Sequence, residues 1–128
     1  GSFHRLSRQS KVDRADPNVI NAAWSREHRA FHAALVAACK SPTLMTIREG
    51  LFDQAERYVA LSVASKVMPR DDVSEHKEIM RAALARDTDK AVTLMRKHIE
   101  RTTDKVANSS AIVEALSNSA IDGRRARA

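Results

Sequence analysis

Apolar residues return every three or four positions through four successive stretches of this sequence, each opened by a helix-starting signal, and that rhythm commits the chain to helices. Asp16-Pro17 pairs a capping carboxylate with the proline that suits a first helical turn, and the stripe Ile20, Trp24, Phe31, Leu35 and Ala38 predicts a helix to about Cys39. Ser41-Pro42 repeats the signal. Leu44, Ile47, Leu51, Ala55, Tyr58 and Leu61 carry the next helix to about Lys66, with Met68-Pro69-Arg70 as its break. Asp71 or Asp72 caps a third helix with Val73, Ile79, Met80, Ala83 and Leu84 inward. Arg86-Asp87-Thr88-Asp89 turns the chain into a fourth, with Ala91, Leu94, Met95 and Ile99 inward. Residues 3 to 11 suit a short helix ahead of these, and Ser110 to Ser117 a weaker one behind them.

Composition agrees with the rhythm: aromatic residues make up 4%, and there are three glycines and three prolines. Short connections between amphipathic helices favour antiparallel neighbours, so the expected fold is all-α, an antiparallel helical bundle. A chain of 128 residues accommodates one domain, placed at residues 3–118, with a disordered basic tail at 119–128. The single cysteine, Cys39, has no internal partner, and no apolar run has the length of a membrane span or secretory signal, so a soluble cytoplasmic protein is expected. The net charge of +6 is concentrated at the two ends, in Arg5, Arg8, Lys11, Arg124 and Arg125. With few aromatics for base stacking and no helix-turn-helix pattern, direct binding of nucleic acid by this chain is not expected.

Four of the five histidines fall where the periodicity demands an interior position, and a polar ring is costly there without partners. His28 and His32, four residues apart, lie one above the other on one helix face, roughly 6 Å apart along the axis. His76 stands between Val73 and Met80, and His98 follows Ala91 and Leu94. A lone histidine on an apolar face is ordinarily a neutral core residue with a hydrogen bond. Four on three helices are harder to satisfy, because helical carbonyls are already paired, and a divalent metal accepts all their lone pairs at once. Imidazole suits Zn²⁺ first, with Ni²⁺, Cu²⁺ and Fe²⁺ as alternatives. His28, His32, His76 and His98 are therefore the candidate metal ligands, and His4, in a polar segment, is set aside.

The segments Trp24-Ser25-Arg26-Glu27-His28-Arg29-Ala30-Phe31-His32, Ser74-Glu75-His76 and Lys97-His98-Ile99-Glu100-Arg101-Thr102, with the Ala83-Leu84-Ala85-Arg86-Asp87 turn, resemble the effector-binding FCD domain of GntR-superfamily transcriptional regulators, FadR subgroup. The resemblance covers about residues 18 to 107, and the family's first helix or helices look missing or trimmed. It implies a bundle that dimerises, binds a small organic acid in a central cavity and alters how a winged-helix domain, absent from this sequence, grips DNA. It also implies a metal held by one acidic residue and three histidines. His28 departs from that pattern, standing where the family usually has Asp or Asn, which leaves open whether it ligates the metal or contacts the effector. A neutral ring there leaves the ion's charge less compensated, which should strengthen its attraction for an anion. The Asp53-Gln54-Ala55-Glu56-Arg57-Tyr58 segment is similar to regulators of the CsiR type, which respond to glutarate, and so points to a dicarboxylate.

A second charged group on such an effector would meet an arginine, whose planar fork pairs with carboxylate. Arg57, mid-helix beside Tyr58, is the first choice and Arg48 the alternative; Tyr58 and Trp24 complete the candidate effector contacts, although both also suit core packing. The mechanism expected is a population shift relayed through the dimer, with no chemistry on the ligand. Two other readings use the same residues. A bundle metalloenzyme of the di-iron or hemerythrin-like kind would need Glu-x-x-His pairs, and Glu27 and Glu75 adjoin their histidines instead. A metal-free interaction module would use the rings only for packing. Because imidazole binds metal only when neutral, metal affinity should fall as pH drops through the usual histidine range.

Overall fold

A computed structural model describes residues 1–64 and 71–125. Six helices account for most of them, α1 (Ser2–Ser7), α2 (Ala22–Leu35), α3 (Pro42–Ala64), α4 (Asp72–Leu84), α5 (Thr88–Ala107) and α6 (Ser110–Arg125). No strand occurs among the described residues, and the all-α bundle expected from the periodicity is what forms. The Met68-Pro69-Arg70 break lies outside them.

The helix starts follow their caps with one exception. Asp71 opens α4 by accepting from the Ser74 N–H at 3.0 Å, and Asp87 opens α5 by accepting from the Lys90 N–H at 3.1 Å. Asp16-Pro17 does not open α2. The Asp16 carboxylate instead accepts from the Asn18 N–H at 2.9 Å, closing a local turn, and a bridge between Val12 and Ile20 ties off the loop. Asn21 is the cap, accepting from the Ala23 N–H at 2.9 Å, so α2 begins five residues beyond Pro17 and ends at Leu35, before the expected Cys39. α1 stops at Ser7, short of the expected residue 11, while α6 runs past the expected ends at Ser117 and residue 118 to Arg125.

The core sits where α1, α2 and α4 meet. Leu6, Trp24, Phe31 and Ile79 form its buried cluster, with Phe3, Ile20, Leu35, Val59, Met80, Leu94 and Met95 packed around it. Phe3 meets Phe31 edge to face at 6.1 Å. α4 and α5 make the closest helix pair, a hairpin in which residues roughly equidistant from the turn at Arg86 face each other. That turn is a Schellman motif: the Asp87 N–H donates to Ala82 O at 3.0 Å and the Arg86 N–H to Ala83 O at 3.1 Å. It places Arg86 at φ 57°, a left-handed conformation that costs a residue with a Cβ.

Two predicted faces are rotated. On α3 the expected inward stripe lies outside, with Leu44 60%, Ile47 54%, Leu51 61% and Tyr58 42% exposed. Its inner side is the adjacent stripe of Arg48, Phe52, Glu56 and Val59. On α4 the buried residues are His76, Ile79 and Ala82, whereas Val73, Ala83 and Leu84 are exposed; on α5 Ile99 is likewise outside. The apolar pattern locates each helix correctly but misjudges its facing where the inward stripe carries polar side chains, as Arg48 and Glu56 do on α3 and His76 does on α4.

Candidate metal centre

All four inward histidines converge. His28 and His32 rise from successive turns of α2, and the α4–α5 hairpin brings His76 and His98 to the same point, so that one nitrogen from each ring lies within 4.8 Å of the others. His32 Nε2 stands 3.1 Å from His28 Nε2 and 3.1 Å from His76 Nε2. The ring of His32 stacks on that of His98 at 5.5 Å, and the ring of His76 meets that of His98 at 4.6 Å.

This packing is frustrated as a hydrogen-bond network. An imidazole nitrogen carries either one hydrogen or one lone pair, so His32 Nε2 satisfies one of its two close nitrogen neighbours and opposes the other. An outer contact sharpens the conflict. His98 Nδ1–H donates to Glu75 Oε2 at 2.7 Å, which leaves its remaining ring nitrogen as an acceptor facing the cluster. A cation resolves this. With metal–nitrogen bonds of about 2.0–2.1 Å, neighbouring ligand nitrogens sit about 3.3 Å apart in a tetrahedron and about 2.9 Å apart in an octahedron, and 3.1 Å lies between. The donor set and its spacing therefore fit a divalent transition metal.

His28, His32 and His76 are also in the protonation state that a metal needs. Burial, then the neighbouring imidazoles, lowers His28 and His32 to about 2, and burial together with His98 lowers His76 to about 4. Trp24 covers one side, stacked on His28 at 4.4 Å with 14° between the planes, and Lys11 lies over its indole at 5.1 Å. Phe52 covers the α3 side, 5.7 Å from the ring of His28 and 5.8 Å from that of His32.

Of the candidate effector contacts, Arg48 and Trp24 reach this centre and Arg57 and Tyr58 do not. Arg48 leans over Phe52 at 5.2 Å, ion-pairs with Glu49, and is near enough to His32 for its charge to help lower that ring's pKa. Its Nη2 is buried without a hydrogen-bond partner among the described residues. Arg57 and Tyr58, on the outer side of α3, line a surface cleft with Gln54, Leu61, Leu116 and Ser119, to which no imidazole contributes. Sequence reasoning missed Phe52 and Glu75. Phe52 sits one residue past Leu51 of the stripe taken as inward. Glu75 points away from the ligand atoms, as its position beside His76 requires, and meets the far side of His98 instead.

The family model for the FCD domain matches residues 4–101. This chain belongs to the FCD domain family. The match bears out the resemblance carried by the histidine segments and places this FCD domain among those of GntR-type regulators. It is 39% identical over 100 residues to the HTH-type transcriptional repressor GlaR of Escherichia coli K12, covering 75% of this chain and 44% of that protein. It is 35% identical over 99 residues to the uncharacterized HTH-type transcriptional regulator BphR of Paraburkholderia xenovorans LB400, covering 77% of this chain and 40% of that protein. The chain thus spans less than half the length of these relatives, and no solved structure matches it. Both relatives are HTH-type transcriptional regulators by name, and this kinship supports a regulatory, ligand-sensing domain. No helix among its described residues is long and apolar enough to cross a membrane.

Proposed function

We propose that this FCD domain is the effector sensor of a cytoplasmic transcriptional regulator of the FadR subgroup, in which a zinc-class ion held by His28, His32, His76 and His98 receives a carboxylate of a small organic acid. The ion supplies charge and an open coordination position for an anionic oxygen. The protein supplies orientation: Trp24 and Phe52 wall the centre, and Arg48 presents a buried, unpartnered N–H to the second end of a dicarboxylate such as glutarate. The observation that carries this reading is the convergence of four ring nitrogens beside that orphaned guanidinium nitrogen, since a buried donor without an acceptor costs about 1–3 kcal/mol and a ligand carboxylate removes the penalty. Arg57 recedes behind Arg48 as the effector's charged partner.

DNA contact belongs in this reading to a winged-helix domain outside this chain, as the HTH-type names of the relatives support, and the domain works as a homodimer. The exposed seam Leu44, Ile47, Leu51 and Tyr58 on α3 supports an apolar partner surface. A metalloenzyme reading gains nothing from the carboxylates beside the histidines. Glu27 pairs with Arg5 at 2.8 Å, and Glu75 with His98 and Arg101.

Metal analysis of protein purified without an affinity tag, followed by calorimetric titration with glutarate, tests the proposal. One ion per chain is expected, lost in His76→Ala and in His98→Ala. Arg48→Ala should retain the ion and bind glutarate about tenfold or more weakly, in keeping with a lost charged hydrogen bond. Full metal content in both histidine variants, or unchanged glutarate affinity in Arg48→Ala, contradicts the corresponding assignment.

A further inference from the structure

Glu75 is joined to the imidazole cluster without facing it. Its carboxylate is 13% exposed, its Oε2 accepts from His98 Nδ1–H at 2.7 Å, and its Oε1 accepts from Arg101 Nη1 at 3.2 Å. Both oxygens are thus engaged by α5, from residues one helical turn apart, while Glu75 itself stands on α4 beside His76. A carboxylate on the outer nitrogen of a ligating histidine does three things: it fixes the hydrogen on that nitrogen, it holds the plane of the ring, and it makes the inner nitrogen a stronger donor to a metal.

We propose that Glu75 is the positioning residue of the centre, a carboxylate that sets the tautomer and aim of His98 and, clamped by Arg101, locks the α4–α5 hairpin into a preformed half-site carrying His76 and His98. The proposal rests on the metal reading of the four imidazoles. It goes beyond that reading by assigning metal affinity to a residue that touches no metal, and by giving Arg101 a purpose in the hairpin. The same three groups explain why His76 and His98 arrive at the cluster together: the adjoining residues Glu75 and His76 grip the outer and inner sides of one His98 ring.

The test compares wild type with Glu75→Ala, Glu75→Gln and Glu75→Asp in Zn²⁺ competition against a chelator, in the visible spectrum of the Co²⁺-loaded protein, and in melting with and without metal. Glu75→Ala should weaken metal binding by about 10- to 100-fold. Glu75→Gln keeps an acceptor oxygen at the same reach and should retain most of the affinity. Glu75→Asp keeps the charge but draws it back by one methylene, and should lose affinity and alter the Co²⁺ bands. The rise in melting temperature on adding metal should shrink in the order of the affinities. If Ala and Asp bind as wild type does, or if every variant lowers melting equally with and without metal, Glu75 is a structural residue and the positioning role is overturned while the metal centre stands. If wild type itself takes up no Zn²⁺ or Co²⁺, the metal reading falls first and the positioning role with it. Should Glu75→Ala fail to fold, the Gln and Asp pair decides alone.

Discussion

His28, His32 and His76 are bases whose folded pKa values lie below the ordinary 6.5, at about 2, about 2 and about 4. The unfolded chain therefore binds more protons than the folded one once pH drops below about 6.5. Stability of the metal-free domain is whole above that value and declines as pH falls, by up to about 1.4 kcal/mol per pH unit for each ring, until His76 protonates near 4. Chemical denaturation of the metal-free domain at pH 7, 6 and 5 should show that descent, and equal stabilities would contradict it. For metal affinity, the shifted rings should move part of the proton competition below the range of unperturbed histidines. Burial keeps His28, His32 and His76 neutral through the usual histidine range, so proton competition at these three rings begins only as pH approaches about 4. The four clustered histidines were legible in the sequence because a polar ring on an apolar stripe is conspicuous. Glu75 and Arg48 were less so, since what makes them matter is a partner on another helix: Glu75 meets His98 across the hairpin, and Arg48 gains its role from burial behind Phe52.

Among the elements, the α4–α5 hairpin carries half of the cluster, and its turn holds a measurable inefficiency. Arg86 occupies the left-handed position that glycine fills without steric cost. Arg86→Gly should stabilise the domain by about 0.5–1 kcal/mol, the relief of Cβ strain being partly offset by the freer unfolded chain. A denaturant midpoint unchanged or lowered, at constant m, would show that the arginine side chain makes contacts worth more than that strain. This turn was readable from Ala83-Leu84-Ala85-Arg86-Asp87 because its capping aspartate is a local signal. The start of α2 was not, because Asp16 found a nearer N–H in its own turn and left the capping to Asn21. Helix facing was the least readable property of all. α3 bears two neighbouring stripes, Leu44-Ile47-Leu51-Tyr58 and Arg48-Phe52-Glu56-Val59, and hydropathy favours the one that the fold leaves outside.

For the molecule as a whole, that outward seam is where the proposed dimer should form. Sedimentation velocity at micromolar concentrations should show a dimer for wild type and a monomer for Leu51→Glu, which places a charge at the middle of the seam without touching the metal centre. A dimer that survives the substitution puts the interface elsewhere. The attachment of α3 to its own chain is of another kind. Arg29 of α2 reaches across to Glu49 at 2.8 Å, Asp53 at 2.5 Å and Glu56 at 2.8 Å, and stacks over Phe52 at 4.7 Å. Glu49 and Asp53 are 45% and 67% exposed, so dissolved ions reach these pairs, whose attraction fades as the screening length shortens. Ionic strength thus acts selectively on this molecule: it leaves the oily joint between α1, α2 and α4 intact and slackens the ionic tether that helps moor α3, with Arg48 aboard, over the histidines.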